Sequence, residues 1–199
     1  MMIQALNNTS DNNTESKGKI PSSKILLWLG IASIVILFAA LTSAYIVREA
    51  EGNWVKFELP SLFYFSTACI VLSSVFMNMA MVAARKNAVK IVQATLGITL
   101  LLGILFIAGQ FLGWKALVNE GIFFAGNKSN PSGSFLYVIT GLHVAHLVAG
   151  ILYLVYVFSK SFKSQNSSKD LMRLELCATY WHFLGGLWVY LFLFLLFIR

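Results

Sequence analysis

Three histidines carry the one candidate cofactor site in this sequence: His143, His146 and His182. His143 and His146 stand three apart and so share adjoining parts of one helix face, while His182 lies early in the next apolar stretch. Imidazoles from two facing helices could hold a b-type haem, whose iron needs axial nitrogen ligands. The depths match poorly for that purpose. His143 lies about a third of the way in from one side and His182 near the other, an offset on the order of 10 Å at about 1.5 Å per residue. Zinc or copper would need a fuller ligand set. Cys69 and Cys177 supply none, because they have no CxxC spacing and each falls in or beside an apolar run, where a free thiol acts as a small hydrophobe. The other reading of the three imidazoles is structural, as hydrogen-bonded members of a helix bundle. Thr42, Asn78, Gln93, Gln110 and Thr140 belong to the same neutral polar set. Such groups are expected to bond across helices, at about 0.6 to 2 kcal/mol each.

The elements that must position these groups follow from composition. The chain is 58% hydrophobic and only 12% charged, with a mean hydropathy of +0.74, far too apolar for a soluble domain. Five charge-free stretches reach the roughly 20 residues that a helix needs to cross about 30 Å of hydrocarbon. They are 25–47, 61–84, 91–114, 134–159 and 176–198. Their continuous apolarity lacks the alternation of barrel strands, and backbone in a bilayer must satisfy itself, so the fold class is all-α: a polytopic five-helix membrane bundle. Residues 24–199 form that membrane domain, and 1–23, rich in Asn, Ser and Thr, read as a disordered tail. Thr42-Ser43-Ala44 could mimic a signal-peptide cleavage site. The first apolar run exceeds the usual core of about 7 to 15 residues, so it is expected to be a retained anchor. The stretch from Lys115 to Gly133, with its Gly, Asn and Pro content, is expected to be a non-helical connection.

Basic residues divide unequally between the two sides. Lys17, Lys19, Lys24, Arg85, Lys86, Lys90, Lys160, Lys163, Lys169 and Arg173 flank one, against Arg48, Lys56, Lys115, Lys128 and Arg199 on the other. The bias predicts a cytoplasmic N-terminus and an outside C-terminus. The net charge of +7 is therefore topological and faces lipid headgroups; no basic groove or stacking platform points to nucleic acid. None of the five stretches contains Asp, Glu, Lys or Arg, which argues against a proton or ion route built from this chain alone. Small residues recur every fourth position at Gly141, Ala145 and Ala149, at Ala80 and Ala84, and at Gly109 and Gly113. That spacing lets helix backbones approach closely and favours a packed, heteromeric bundle.

Several runs together carry a family resemblance. Thr140-Gly141-Leu142-His143-Val144-Ala145-His146 resembles the TGxHxxH stretch of subunit III of haem-copper terminal oxidases, and Tyr180-Trp181-His182-Phe183 resembles that family's Trp-His-Phe helix. Trp28-Leu29, Ala32-Ser33 and Leu37-Phe38-Ala39 are similar to its WLFLASEVMLFA helix; Ser73-Ser74 and Gln110 fall where it has a serine pair and a glutamine. The likeness runs over nearly all of Lys24 to Arg199 and aligns the first stretch with the third helix of the longer, seven-helix form. Three family acids are missing, at Ile34, Gly113 and Gly185, and the glycine after the first motif histidine is Val144.

The resemblance implies a redox-inactive subunit III of a proton-pumping cytochrome c oxidase in a bacterial cytoplasmic membrane, stabilising subunit I. It implies no haem or copper in this chain, both being expected in partner subunits, and it leaves room for a bound phospholipid. Subunits I and II and membrane lipids would be the partners, within a larger respiratory supercomplex where one forms. Thr140, Gly141, Gln110, His143, His146, Trp181, His182 and Trp188 form the motif group, with packing and interface roles and no catalytic one. Trp181 and His182 are expected at the cytoplasmic end of the fifth helix, the indole at headgroup level. Two readings from other classes stay open: a b-type membrane cytochrome using the histidines, and a small transporter.

Overall fold

The computed structural model describes residues 22–52, 54–126, 129–162 and 168–198. Five helices account for nearly all of them: α1 Ser22–Ala50, α2 Ser61–Arg85, α3 Val89–Asn119, α4 Pro131–Ser161 and α5 Ser168–Phe197. Each contains a stretch long and apolar enough to cross a membrane. The five expected spans are all present, and every helix but α2 runs well past its charge-free run. Ser22 and Ser23, expected in the tail, already belong to α1, and 1–21 lie outside the described residues, as do Lys128, Lys163 and Arg199.

The extra turns have local causes. Helix α5 starts eight residues before the apolar run because Asp170 lies in its first turn and pairs with Arg173 at 2.8 Å, one turn on. Helix α4 starts at Pro131, whose fixed φ suits the first helical position, and Asn130 caps it by accepting from the Ser132 amide. Helix α3 continues to Asn119, so only 120–130 form the connection expected from Lys115 to Gly133. That connection turns through Gly121 and Gly126 at positive φ (82° and 109°) and is tied down by Tyr137, whose hydroxyl donates to the Ile122 carbonyl at 2.9 Å. At about 1.5 Å per residue, α3 and α4 are each about 46 Å long, so their ends emerge from a hydrocarbon layer of about 30 Å.

Helices α2, α3, α4 and α5 form a ring in which chain neighbours pack side by side and α5 closes against α2. The α2–α3 hairpin is the tightest joint. Its turn places Asn87 at φ 57°, and Gly109 and Gly113 let α3 ride directly on Ser66 and Phe63 of α2. Helix α1 sits outside the ring, beside α4 and α5 and away from α2 and α3. Only a narrow seam of α1 is buried, through Ile31, Ile34, Phe38, Thr42 and Tyr45, while Leu26, Trp28, Ile36 and Val47 are exposed. A groove of about 490 Å³ therefore separates α1 from α2, with α5 as its floor.

Candidate functional site

The motif residues converge on a buried seam where α5 meets its neighbours. Trp181 and Trp188 stand seven apart, two turns, and so face the same way. Both are fully buried. Trp188 Nε1 donates to Thr67 Oγ1 at 2.9 Å, and Trp181 Nε1 donates to Ser73 Oγ at 3.0 Å, so two indoles fasten α5 to α2. The device recurs elsewhere: Trp114 donates to Thr140 Oγ1 at 3.0 Å between α3 and α4, and Tyr190 donates to Thr42 Oγ1 at 3.3 Å between α5 and α1. Each accepting hydroxyl gives its own proton to a carbonyl of the preceding turn: Phe63, Ile70, Leu136 and Phe38 respectively. Donor and acceptor are thus both satisfied without water, which membrane interiors require.

Trp188 is also the centre of an aromatic layer. Its ring stacks on Phe63 (6.2 Å, 14°), meets Phe106 edge to face (4.9 Å, 90°) and lies 5.1 Å from His143. His143 is fully buried and also touches Phe38 and Phe106, so rings from α1, α3 and α5 enclose it. Among the described residues neither of its ring nitrogens has a hydrogen-bond partner, and neither does the buried amide of Gln110, which lies one turn from both Phe106 and Trp114 on α3. The expectation of interhelical bonds from His143 and Gln110 is therefore corrected. Phe38 and Phe106 meet the imidazole edge to face and Trp188 meets it tilted, at 38°. His146 bonds within its own helix, Nδ1 to the Leu142 carbonyl at 2.7 Å, and edges onto Phe38.

Other motif residues face elsewhere. His182 follows Trp181 by one position, a turn of about 100°, and so points out into the α1–α2 groove beside Lys24, Asn78, Glu175 and Thr179. Trp181, expected at the end of its helix, is buried against α2. With α5 starting at Ser168, it lies about 20 Å along the helix and deep in the bundle. On the small-residue stripe of α4, nothing among the described residues lies within 4 Å of a Cβ built on Gly141, and Ala145 and Ala149 are exposed. A Cβ on Gly109 or Gly113, by contrast, would meet Ser66 or Phe63 of α2.

The three positions where the resemblance places acids are packing contacts in this chain. Ile34 is buried on α1, a Cβ on Gly113 would lie 2.8 Å from the Phe63 ring, and one on Gly185 would lie 3.0 Å from Ser74 Oγ. The residues also fit a haem badly. The α5 ring facing His143 is Trp188 and not an imidazole, and Phe38 and Phe106 fill the remaining sides. Among the described residues no three His, Cys, Asp or Glu side chains gather as a metal site. Both cysteines are buried free thiols.

Sequence reasoning missed Thr67, Phe63 and Phe106. The usable signal was the pair of tryptophans at seven-residue spacing, since a buried indole must find an acceptor. One test separates packing from hydrogen bonding at the centre. His143→Leu, which removes both ring nitrogens at similar volume, should keep the stability in mild detergent within about 1.5 kcal/mol of the parent. His143→Ala should cost about 2–5 kcal/mol through the cavity it opens. Equal losses for the two would mean that the ring nitrogens do bond in the bundle.

Residues 52–198 match the family model described as cytochrome c oxidase subunit III. A probable cytochrome c oxidase subunit 3 of Nocardia farcinica is 31% identical over 184 residues, 87% of this chain and 86% of the relative. The cytochrome bo(3) ubiquinol oxidase subunit 3 of Pseudomonas aeruginosa is 31% identical over 170 residues, 83% of this chain and 79% of the relative. A cytochrome c oxidase subunit 3 of Bacillus sp. strain PS3 is 26% identical over 188 residues, 92% and 87% of the two chains.

Proposed function

This chain belongs to the cytochrome c oxidase subunit III family, and from that premise we propose that it is a redox-inactive accessory subunit that stabilises subunit I of a terminal oxidase. Subunit I carries the haems and copper and reduces oxygen to water; this chain holds neither, and subunit II is a further partner. The observation that carries the reading is the direction in which the motif residues face. His143 and Gln110 are buried, His143 within a cage of rings, and the small-residue face of α4 has Ala145 and Ala149 exposed and nothing described within 4 Å of a Cβ on Gly141. In hydrocarbon, helices associate through close packing, and a small-residue face turned outward suits a helix of another subunit.

The orientation is part of the proposal. Lys24, Arg85, Lys86, Lys90, Lys160 and Arg173 stand at one end of the bundle, against Arg48, Lys56 and Lys115 at the other. That imbalance supports a cytoplasmic N-terminus in a bacterial cytoplasmic membrane.

Deleting the chain should leave the haem bands of the oxidase in the membrane but shorten the thermal half-life of the purified enzyme several-fold. Haem bands lost in proportion to the chain would show that it holds a haem itself. A sharper variant is Gly141→Leu, which the isolated bundle accommodates. It should leave the chain's melting midpoint unchanged and lower the recovery of other oxidase subunits with it, whereas unaltered recovery would remove this face from the interface.

A further inference from the structure

Where α2 and α4 finish and α3 and α5 begin, the four helices of the ring enclose a cavity of about 350 Å³. It is a socket with two kinds of wall. The floor is apolar and buried, made by Val92, Leu96, Val157 and Leu174, and lies about 10 Å below Val89 at the mouth, counted along α3. At the rim Asp170 pairs with Arg173 at 2.8 Å, while among the described residues no carboxylate pairs with Arg85 or Lys160. Two cations therefore face the opening. The walls are held apart by Gln93, which donates to the Ser161 carbonyl at 3.0 Å, and by Tyr153, which donates to the Arg173 carbonyl at 3.4 Å.

We infer that this socket receives the chain's own N-terminal segment, with the side chains of Met2, Ile3 and Leu6 on the apolar floor and the carboxylates of Asp11 and Glu15 against Arg85 and Lys160. The segment leaves the bundle at the right end. Lys24 pairs with Glu175 at 3.5 Å, which ties the start of α1 to the start of α5, where the cavity opens. At up to about 3.3 Å per residue, the chain from Ser22 back to Ile3 can span about 60 Å. The mouth is on the order of two helix widths away, or about 20–25 Å, so the reach is ample. The composition of the segment divides as the socket does. Met1, Met2, Ile3 and Leu6 are its large apolar residues before Ile20, and residues 7–16 are all polar, with Asp11 and Glu15 as their only charged side chains. Met1, with its charged amine, stays at the mouth. No fold is asked of the segment, because a tether of this kind holds its end at a local concentration in the mM range and even a weak contact is then populated. The site is separate from the α1–α2 groove that holds His182: Arg85 borders both, but Lys160 borders only the socket. The inference goes beyond the proposed function, since it involves no other subunit.

The test replaces Ile3 with photo-reactive benzoylphenylalanine in the full chain, irradiates its native membranes and maps the products by mass spectrometry. The main product should be one chain linked to itself, with residue 3 joined to the segment 89–96 or 157–174. Asp11→Lys with Glu15→Lys should lower the yield roughly tenfold, as two ion pairs become two repulsions, and leave the melting midpoint unchanged. Adding Arg85→Glu with Lys160→Glu should restore it. Both cations are exposed, so their variants should fold. Met2→Asn with Leu6→Asn, which changes no charge, should also lower the yield. Links to phospholipid, to a second chain or only to the α1–α2 groove would overturn the inference, and so would a yield indifferent to charge reversal. Failure of the proposed function would leave the result standing, because the link forms within one chain.

Discussion

Trp188→Ala should be the most damaging single truncation in the bundle, lowering its stability by about 3–5 kcal/mol. The indole is fully buried and touches three other helices: Phe63 and Thr67 of α2, Phe106 of α3 and His143 of α4. Truncation removes the stack, opens a cavity and leaves the Thr67 hydroxyl without its donor. Trp188→Phe should recover most of the packing and lose only the bond, a cost of about 0.5–1.5 kcal/mol. Circular dichroism melts in mild detergent can rank the parent and both variants. If alanine and phenylalanine cost the same small amount, Trp188 is not the joint that the geometry makes it.

The second large effect concerns an acid put back where the family carries one. Gly113→Asp should destabilise the chain by more than Gly113→Ala, itself an overpacking change of about 1–3 kcal/mol. A Cβ at residue 113 already meets the Phe63 ring at 2.8 Å, and that ring cannot retreat because it lies stacked on Trp188. A carboxyl group adds the cost of burying a polar group without a partner, about 2–7 kcal/mol depending on the reference. The expected result is loss of the folded chain from the membrane fraction for Gly113→Asp and a lowered melting midpoint for Gly113→Ala. Normal accumulation of the aspartate variant would mean that the position can still receive an acid. Where the resemblance places an acid, this chain has Gly113 packed on the Phe63 ring.

These two residues show what the sequence makes legible. The five helices were readable because a bilayer demands long charge-free runs, which no soluble fold produces by chance. Their ends were not. The first turns of α5 carry Asp170 and Arg173, and polar residues at a water interface look the same whether the backbone coils or wanders. The motif residues were readable by type, but their directions were hidden, because lipid-facing and core-facing sides of a membrane helix are equally apolar and no amphipathic period marks the inner face. Trp181 and His182 are adjacent in the chain, yet one is fully buried against α2 and the other faces a groove. Gly109 and Gly141 sit in the same small-residue spacing, yet one carries α3 onto α2 and the other faces away from the bundle. The partners of the tryptophans were hidden for another reason: Thr67 and Ser73 are ordinary membrane hydroxyls until a donor from a helix more than a hundred residues away reaches them.

The most direct test of the account is to purify a tagged copy of this chain from its membranes in mild detergent, identify what accompanies it by mass and record the reduced-minus-oxidised spectrum. The haem-copper subunit of an oxidase should come with it, and the haem bands should follow that subunit when the chain is stripped away. A Soret band stoichiometric with the stripped chain itself, or purification free of any oxidase subunit, would contradict it.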